Sequence, residues 1–244
     1  MNAPRTGGSI ARGLLMYGFS TLDLVAFAWF VLAWAGYGVA VELTPIGRNT
    51  LNHRMDRHRD DWTKTMLGRD LRIIDTQIMA SLQNGTAFFA STSLLAVGGA
   101  FALLRASEEV LALFTQLPFG IRMTQAVWET KVFGILLIFV YAFFKFAWSY
   151  RLFNYAAILI GAMPEANEAK SAKAKAAARR VARMARLAGR HFNRGQRAFF
   201  FALGYLGWFV NGWVFIAATL AVLVVVANRQ FGPAARWALD DENN

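Results

Sequence analysis

Six arginines recur at intervals of 4, 3, 4, 4 and 3 in the tract "AAARRVARMARLAGRHFNRGQRAFF": Arg179, Arg183, Arg186, Arg190, Arg194 and Arg197. On a helix turning 100° per residue they fall within about 80° of one another. Clustered guanidinium groups pair bidentately with phosphate and carboxylate, so the chemistry of this stripe is anion binding. Three kinds of partner stay open: anionic lipid headgroups, a ladder of bound anions, or carboxylates of the segment 42–83. The opposite face, Val181, Ala185, Ala188 and Phe192, is apolar and mostly small, suited to close packing. If the helix continues past Gly195, the arginine face extends through Gly204, Gly207, Trp208 and Asn211.

Two further sets carry polar groups in greasy surroundings. Asp70, Gln77, Ser81, Asn84, Ser91, Thr92 and Gly99 share one side of a helix, with Phe88 and Leu95 between them. Such a stripe either lines a pathway or lets membrane helices approach closely. The stretch "FVYAFFKFAWSYRLFNY" holds Lys145 and Arg151 among aromatic and aliphatic residues. With Lys131 at the outer interface, Lys145 lies ~21 Å inward and Arg151 ~30 Å inward. Arg151 then meets headgroup phosphates. Lys145 either snorkels to the same interface or, sharing a face with Gly134, Tyr141 and Trp148, points into the bundle. Asp23 lies near the outer end of its segment, so no carboxylate is expected at the depth of Lys145.

Other chemistry is poorly represented. His53, Asp56 and Asp60 share a helical face and His191 lies on the same side of the membrane, but the arginines between them repel cations and compete for the acids, so no metal is assigned. The chain has no cysteine, no glycine-rich phosphate loop and no recognisable Ser/His/Asp frame. No enzyme activity and no cofactor are expected. The basic tract lacks aromatic interleaving, which argues against nucleic acid.

The elements that must position these residues are membrane helices. Of 244 residues, 56% are hydrophobic and 17% charged, with a mean hydropathy of +0.34. Four apolar segments, about 24–41, 86–104, 132–148 and 199–227, approach or exceed the ~20 residues that cross a bilayer; the last is long enough to tilt or project. The predicted fold is all-α, a single membrane domain over 1–244 with four spans and cytoplasmic helical regions at about 45–83 and 163–198. Seven Lys/Arg between 42 and 83 and ten between 162 and 198 put both loops in the cytoplasm and both termini on the non-cytoplasmic side of a bacterial inner membrane. Ser107 ahead of Glu108 and Glu109 predicts an N-cap opening a short helix that ends before Pro118.

The stretches "RHRDDWTKTML", "DTQIMASLQNGTAFFASTSLL", "SYRLFNYAAILIGAMP" and "RHFNRGQRAFFFALGYLGWF" resemble the domain-of-unknown-function family 599 of multi-pass membrane proteins. The resemblance implies the topology and no activity. It draws attention to Trp62, Gln77, Asn84, Ser91, Arg151, Asn154, Asn193, Arg194, Gly195 and Arg197. Four packed helices fill their own centre, so a conducting role would need a homo-oligomer. Two functions follow as expectations. The first is an oligomer whose arginine-rich vestibule binds or conducts anions or small solutes, with Lys145, Tyr141, Gln77, Asn84, Ser91, Asn154, Asn193 and Asn211 as polar pathway or bundle residues. The second is a scaffold that binds anionic lipid headgroups or another membrane complex.

Overall fold

The computed structural model describes residues 18–116 and 123–233; Pro118 lies outside them. Among the described residues seven α-helices follow in order: α1 Thr21–Leu43, α2 Leu51–Met66, α3 Ile73–Arg105, α4 Ser107–Gln116, α5 Gln125–Gly161, α6 Ala172–Tyr205 and α7 Gly212–Phe231. The described residues contain no strand. Helices α1, α3, α5 and α7 are each long and apolar enough to cross a membrane. With 33 and 37 residues, α3 and α5 are ~50 and ~55 Å long and outrun a hydrocarbon core of ~30 Å.

Contacts gather the helices into two compact units. One comprises the described parts of Met1–Tyr37, Leu94–Val140 and Ala198–Val225, the other those of Gly38–Ser93, Tyr141–Arg197 and Val226–Asn244. The first is built on aromatic packing: Phe30 meets Phe201, Tyr205 and Phe215 at ring separations of 5.2–5.9 Å. It also holds a buried ion pair. Lys131, 4% exposed, donates to the Trp208 carbonyl at 2.8 Å and lies 3.6 Å from Asp23. Lys131 is thus buried beside Asp23 at the start of α1, the residue that the sequence reading also put at that end.

The second unit packs α6 through its small residues. Val181, Ala185 and Ala188 are fully buried, which lets helix axes approach closely. Phe192 seats against Phe89 and Phe146, and Ser149 donates to the Ala188 carbonyl at 2.8 Å. Gly195 does not interrupt the helix. It sits where α6 meets Phe146, whose ring would lie 2.8 Å from any added Cβ. Gly195→Leu is therefore expected to cost about 1–3 kcal/mol through overpacking. An unchanged thermal midpoint would show that the ring moves aside freely.

Between α2 and α3, Asp75 is fully buried and accepts from Trp62 Nε1 at 2.7 Å and Arg69 at 2.5 Å. This ties down the break at Gly68. Ser107 does not act as the expected cap: its hydroxyl donates to the Leu104 carbonyl at 2.6 Å.

The apolar run expected as one span over 199–227 is broken. Helix α6 ends at Tyr205, a 3-10 turn occupies Leu206–Phe209, and α7 restarts at Gly212. Two local causes act here. Gly207 packs so closely on α7 that a Cβ would lie 2.9 Å from the Val214 carbonyl oxygen. Asn211 caps α7, its side chain accepting from the Val214 N–H at 2.9 Å, so it ends the arginine face instead of extending it. Helix α7 starts against Leu22, at the beginning of α1. Further along, Phe215 meets Phe30 at a ring separation of 5.2 Å, so within the first unit α7 runs in the same direction as α1. Its last turn lies where Gln230 accepts from the Asn52 N–H at 3.4 Å.

Candidate functional site, an arginine-lined cavity

The C-terminal end of α1 leads into a short 3-10 turn, Pro45–Asn49, begun by Pro45. Gly47 fits there because a Cβ would collide with the Val41 carbonyl. Thr50 then donates its hydroxyl to the Gly47 carbonyl at 2.6 Å and accepts from the His53 N–H at 3.3 Å. That cap launches α2 back alongside α6.

The wedge between these pieces is a cavity of about 550 Å³. Five arginines reach it: Arg48 from the turn, Arg59 from α2, and Arg190, Arg194 and Arg197 from α6. Only two carboxylates do, Glu42 and Asp56. Glu42 accepts from Arg194 Nε at 2.9–3.0 Å and from its Nη2, and also from Arg197. Asp56 takes Arg59 at 2.7 Å, and Gly189 makes room, since a Cβ there would be 3.1 Å from the Arg59 guanidinium. Arg48 and Arg190 form no ion pair among the described residues. Counting arginines against carboxylates, the lining carries three uncompensated positive charges.

The arginine stripe is thus real as a face but divided in use. Its outer half, Arg179, Arg183 and Arg186, lines a separate notch of about 840 Å³ between α2 and α6, where Arg186 pairs with Asp60 at 2.6 Å. Its inner half lines the cavity, together with Asn193. Lys145 and Tyr141 lie outside both linings; the Lys145 ammonium sits 5.0 Å over the Tyr141 ring. Arg151 donates to the Tyr155 hydroxyl at 2.6 Å and lies over that ring. Asn154 accepts from Gln83 at 2.6 Å. Gln77, Asn84 and Ser91 lie on an exposed face of α3. His191 is held below its usual range by burial, with the Lys145 and Arg194 charges adding to the effect, and so stays neutral near the arginines.

Sequence reasoning missed Glu42 and Arg48. Glu42 is the one acid in the last turn of α1, and Arg194 and Arg197 lie one turn apart on a single helical face; that spacing was the available signal. Which helix that face would meet is not written in local sequence.

No curated protein and no solved structure matches the chain. A family model described as "Protein of unknown function, DUF599" matches residues 25–234. The match takes in every residue that lines the cavity, and the chain is a member of this DUF599 family.

Proposed function

We propose that this membrane protein binds a phosphate-bearing anion in the arginine-lined cavity. The observation that carries the reading is the charge imbalance: five guanidinium groups against two carboxylates, with Arg48 and Arg190 unpaired. A tetrahedral phosphate offers several acceptor oxygens to such forks. Binding is favoured over conduction by the placement of the residues expected to form a path: Lys145 stands outside the cavity and Asn211 caps α7.

The depth of the site supports a headgroup-level ligand. Val41–Leu43 form the inner end of a membrane helix and line the cavity, so a lipid phosphate or a soluble phosphate can reach it from the basic side.

The test uses the full chain in nanodiscs of zwitterionic lipid. Inorganic phosphate is titrated in one arm, and phosphatidylglycerol retention is read by native mass spectrometry in the other. Arg48→Gln combined with Arg190→Gln should weaken one of the two at least tenfold, in line with about 1.5–3 kcal/mol for a charge-assisted hydrogen bond. Folding should be unaffected, since neither arginine holds an ion pair. A phosphate response alone assigns a soluble anion; a lipid response alone assigns a headgroup. Wild-type behaviour in both arms overturns the reading.

A further inference from the structure

We infer that the notch between α2 and α6 is a docking groove for an acidic amphipathic helix of a partner protein. Its lining divides into a charged rim and an apolar floor. Six cations, Lys64, Lys170, Lys175, Arg179, Arg183 and Arg186, stand against one carboxylate, Asp60. Between them lie Thr63 and Leu67 of α2 and Ala178 and Ala182 of α6, all buried.

Most of the rim charge is unmatched. Arg186 takes Asp60 at 2.6 Å, and Lys64 takes Asp61 at 2.8 Å on open surface. Lys170, Lys175, Arg179 and Arg183 form no ion pair among the described residues. Lys175, Arg179 and Arg183 also follow one another at i,i+4, a spacing at which like charges destabilise a helix. An acidic occupant relieves that repulsion and is steered in by it.

The occupant comes from water, not from the bilayer. Arg194 meets Glu42 in the last turn of α1, a helix able to cross a membrane, and Arg183 lies ~16 Å further along α6. Antiparallel α5 extends with it: Ser149 bonds the Ala188 carbonyl, and Met163 shares a buried cluster with Ala174. Headgroups add only ~5–8 Å to each side of the hydrocarbon core, so a lipid phosphate falls short of the notch. At the same far end, Arg72 donates to the Met163 carbonyl at 3.2 Å. The link that it fastens leaves Leu71, Ile73 and Ile74 exposed. Aliphatic side chains facing lipid are ordinary; grouped in water they mark an interaction surface.

A helix fits the shape. Ala178 and Ala182 are one turn apart and end at Cβ, so another backbone can come close. The Thr63 hydroxyl donates to the Asp60 carbonyl at 3.0 Å, which leaves the floor side chains without an open polar group. From Lys175 to Arg186 the rim runs ~16 Å, three turns of a helix that lays its apolar face in the groove and its carboxylates along the rim. Nucleic acid matches less well, because the lining has no aromatic side chain for bases to stack on.

The test uses the full chain in nanodiscs of zwitterionic lipid and a fluorescein-labelled peptide read by anisotropy. The peptide has about 14 residues, ~21 Å as a helix, with leucine on one face and glutamate on the other. A scrambled peptide of the same composition and a single-stranded RNA of equal charge are the comparisons. The amphipathic peptide should bind at least about tenfold more tightly than either. Arg179→Gln combined with Arg183→Gln should weaken it by about tenfold or more, and folding should hold because neither arginine has an ion pair to lose. Phosphate binding should be unchanged in that variant, since both residues lie outside the arginine-lined cavity; the two readings therefore fail separately. Equal binding of the scrambled peptide would reduce the notch to a basic surface and overturn the proposal. So would tighter binding of the RNA, or wild-type affinity for the peptide in the double variant.

Discussion

Asp23→Ala should lower stability by about 2–4 kcal/mol, somewhat less than the 3–5 kcal/mol of breaking a fully buried ion pair, because the aspartate is 16% exposed. In a chain of this size that is a fall of roughly 10 °C in thermal midpoint. Asp23 is the hub of its corner. One oxygen takes the Ser20 N–H at 3.0 Å and the Ser20 hydroxyl at 2.6 Å; the other takes Trp208 Nε1 at 2.6 Å. Lys131 stands 3.6 Å away, with side-chain exposures of 5% for the lysine and 16% for the aspartate. Without the carboxylate, the ammonium keeps only the Trp208 carbonyl and the face of its ring, 5.2 Å off, and the indole N–H loses its acceptor. Lys131→Met should cost less, because Asp23 keeps its three other hydrogen bonds. Asp23→Leu with Lys131→Met should recover part of the loss, as apolar replacements of buried pairs often do. Unfolding in nanodiscs measures all three; a loss below about 0.5 kcal/mol for Asp23→Ala would mean that water already reaches the pair.

The limits of sequence reading in this chain are illustrated by the same residues. Span existence was legible because it depends on length and apolar content alone. The arginine face was legible because helical spacing is local, and its apolar reverse, Val181 to Phe192, packs as that spacing required. The hairpin at 206–211 was not legible: an apolar run reads the same whether it crosses once or folds back, and the deciding features are a close contact at Gly207 and a cap at Asn211. The pairs Asp23–Lys131 and Glu42–Arg194 join residues more than a hundred positions apart. Only the packing of α1 against α5 and α6 creates them. Arg48 looked like one basic residue among seven in its loop until the Pro45 turn aimed it at the cavity.

Glu42→Gln should move two quantities in opposite directions. Arg194 and Arg197 share this single carboxylate, and removing its charge leaves two neighbouring guanidinium groups repelling each other. Breaking a fully buried pair costs about 3–5 kcal/mol. These side chains are 13–35% exposed, so water screens part of that, and a loss of about 1–3 kcal/mol is expected. Meanwhile the carboxylate that competes with an incoming anion has gone, and the uncompensated charge of the cavity rises from three to four. Phosphate, or the lipid headgroup that carries it, should bind about tenfold more tightly, since one unit charge at contact distance is worth more than the 1.4 kcal/mol that this requires. The two effects meet in one experiment. Anion at a hundred times the variant's dissociation constant, ten times that of the wild type, stabilises the variant by ~2.7 kcal/mol and the wild type by ~1.4 kcal/mol, so the variant should melt below the wild type without anion and narrow the gap by about 1.3 kcal/mol with it. If Glu42 served only to hold α1 and α6 together, stability and affinity would fall as one and anion would not narrow the gap. Parallel loss of both would therefore remove Glu42 from the binding site and leave it as a structural brace.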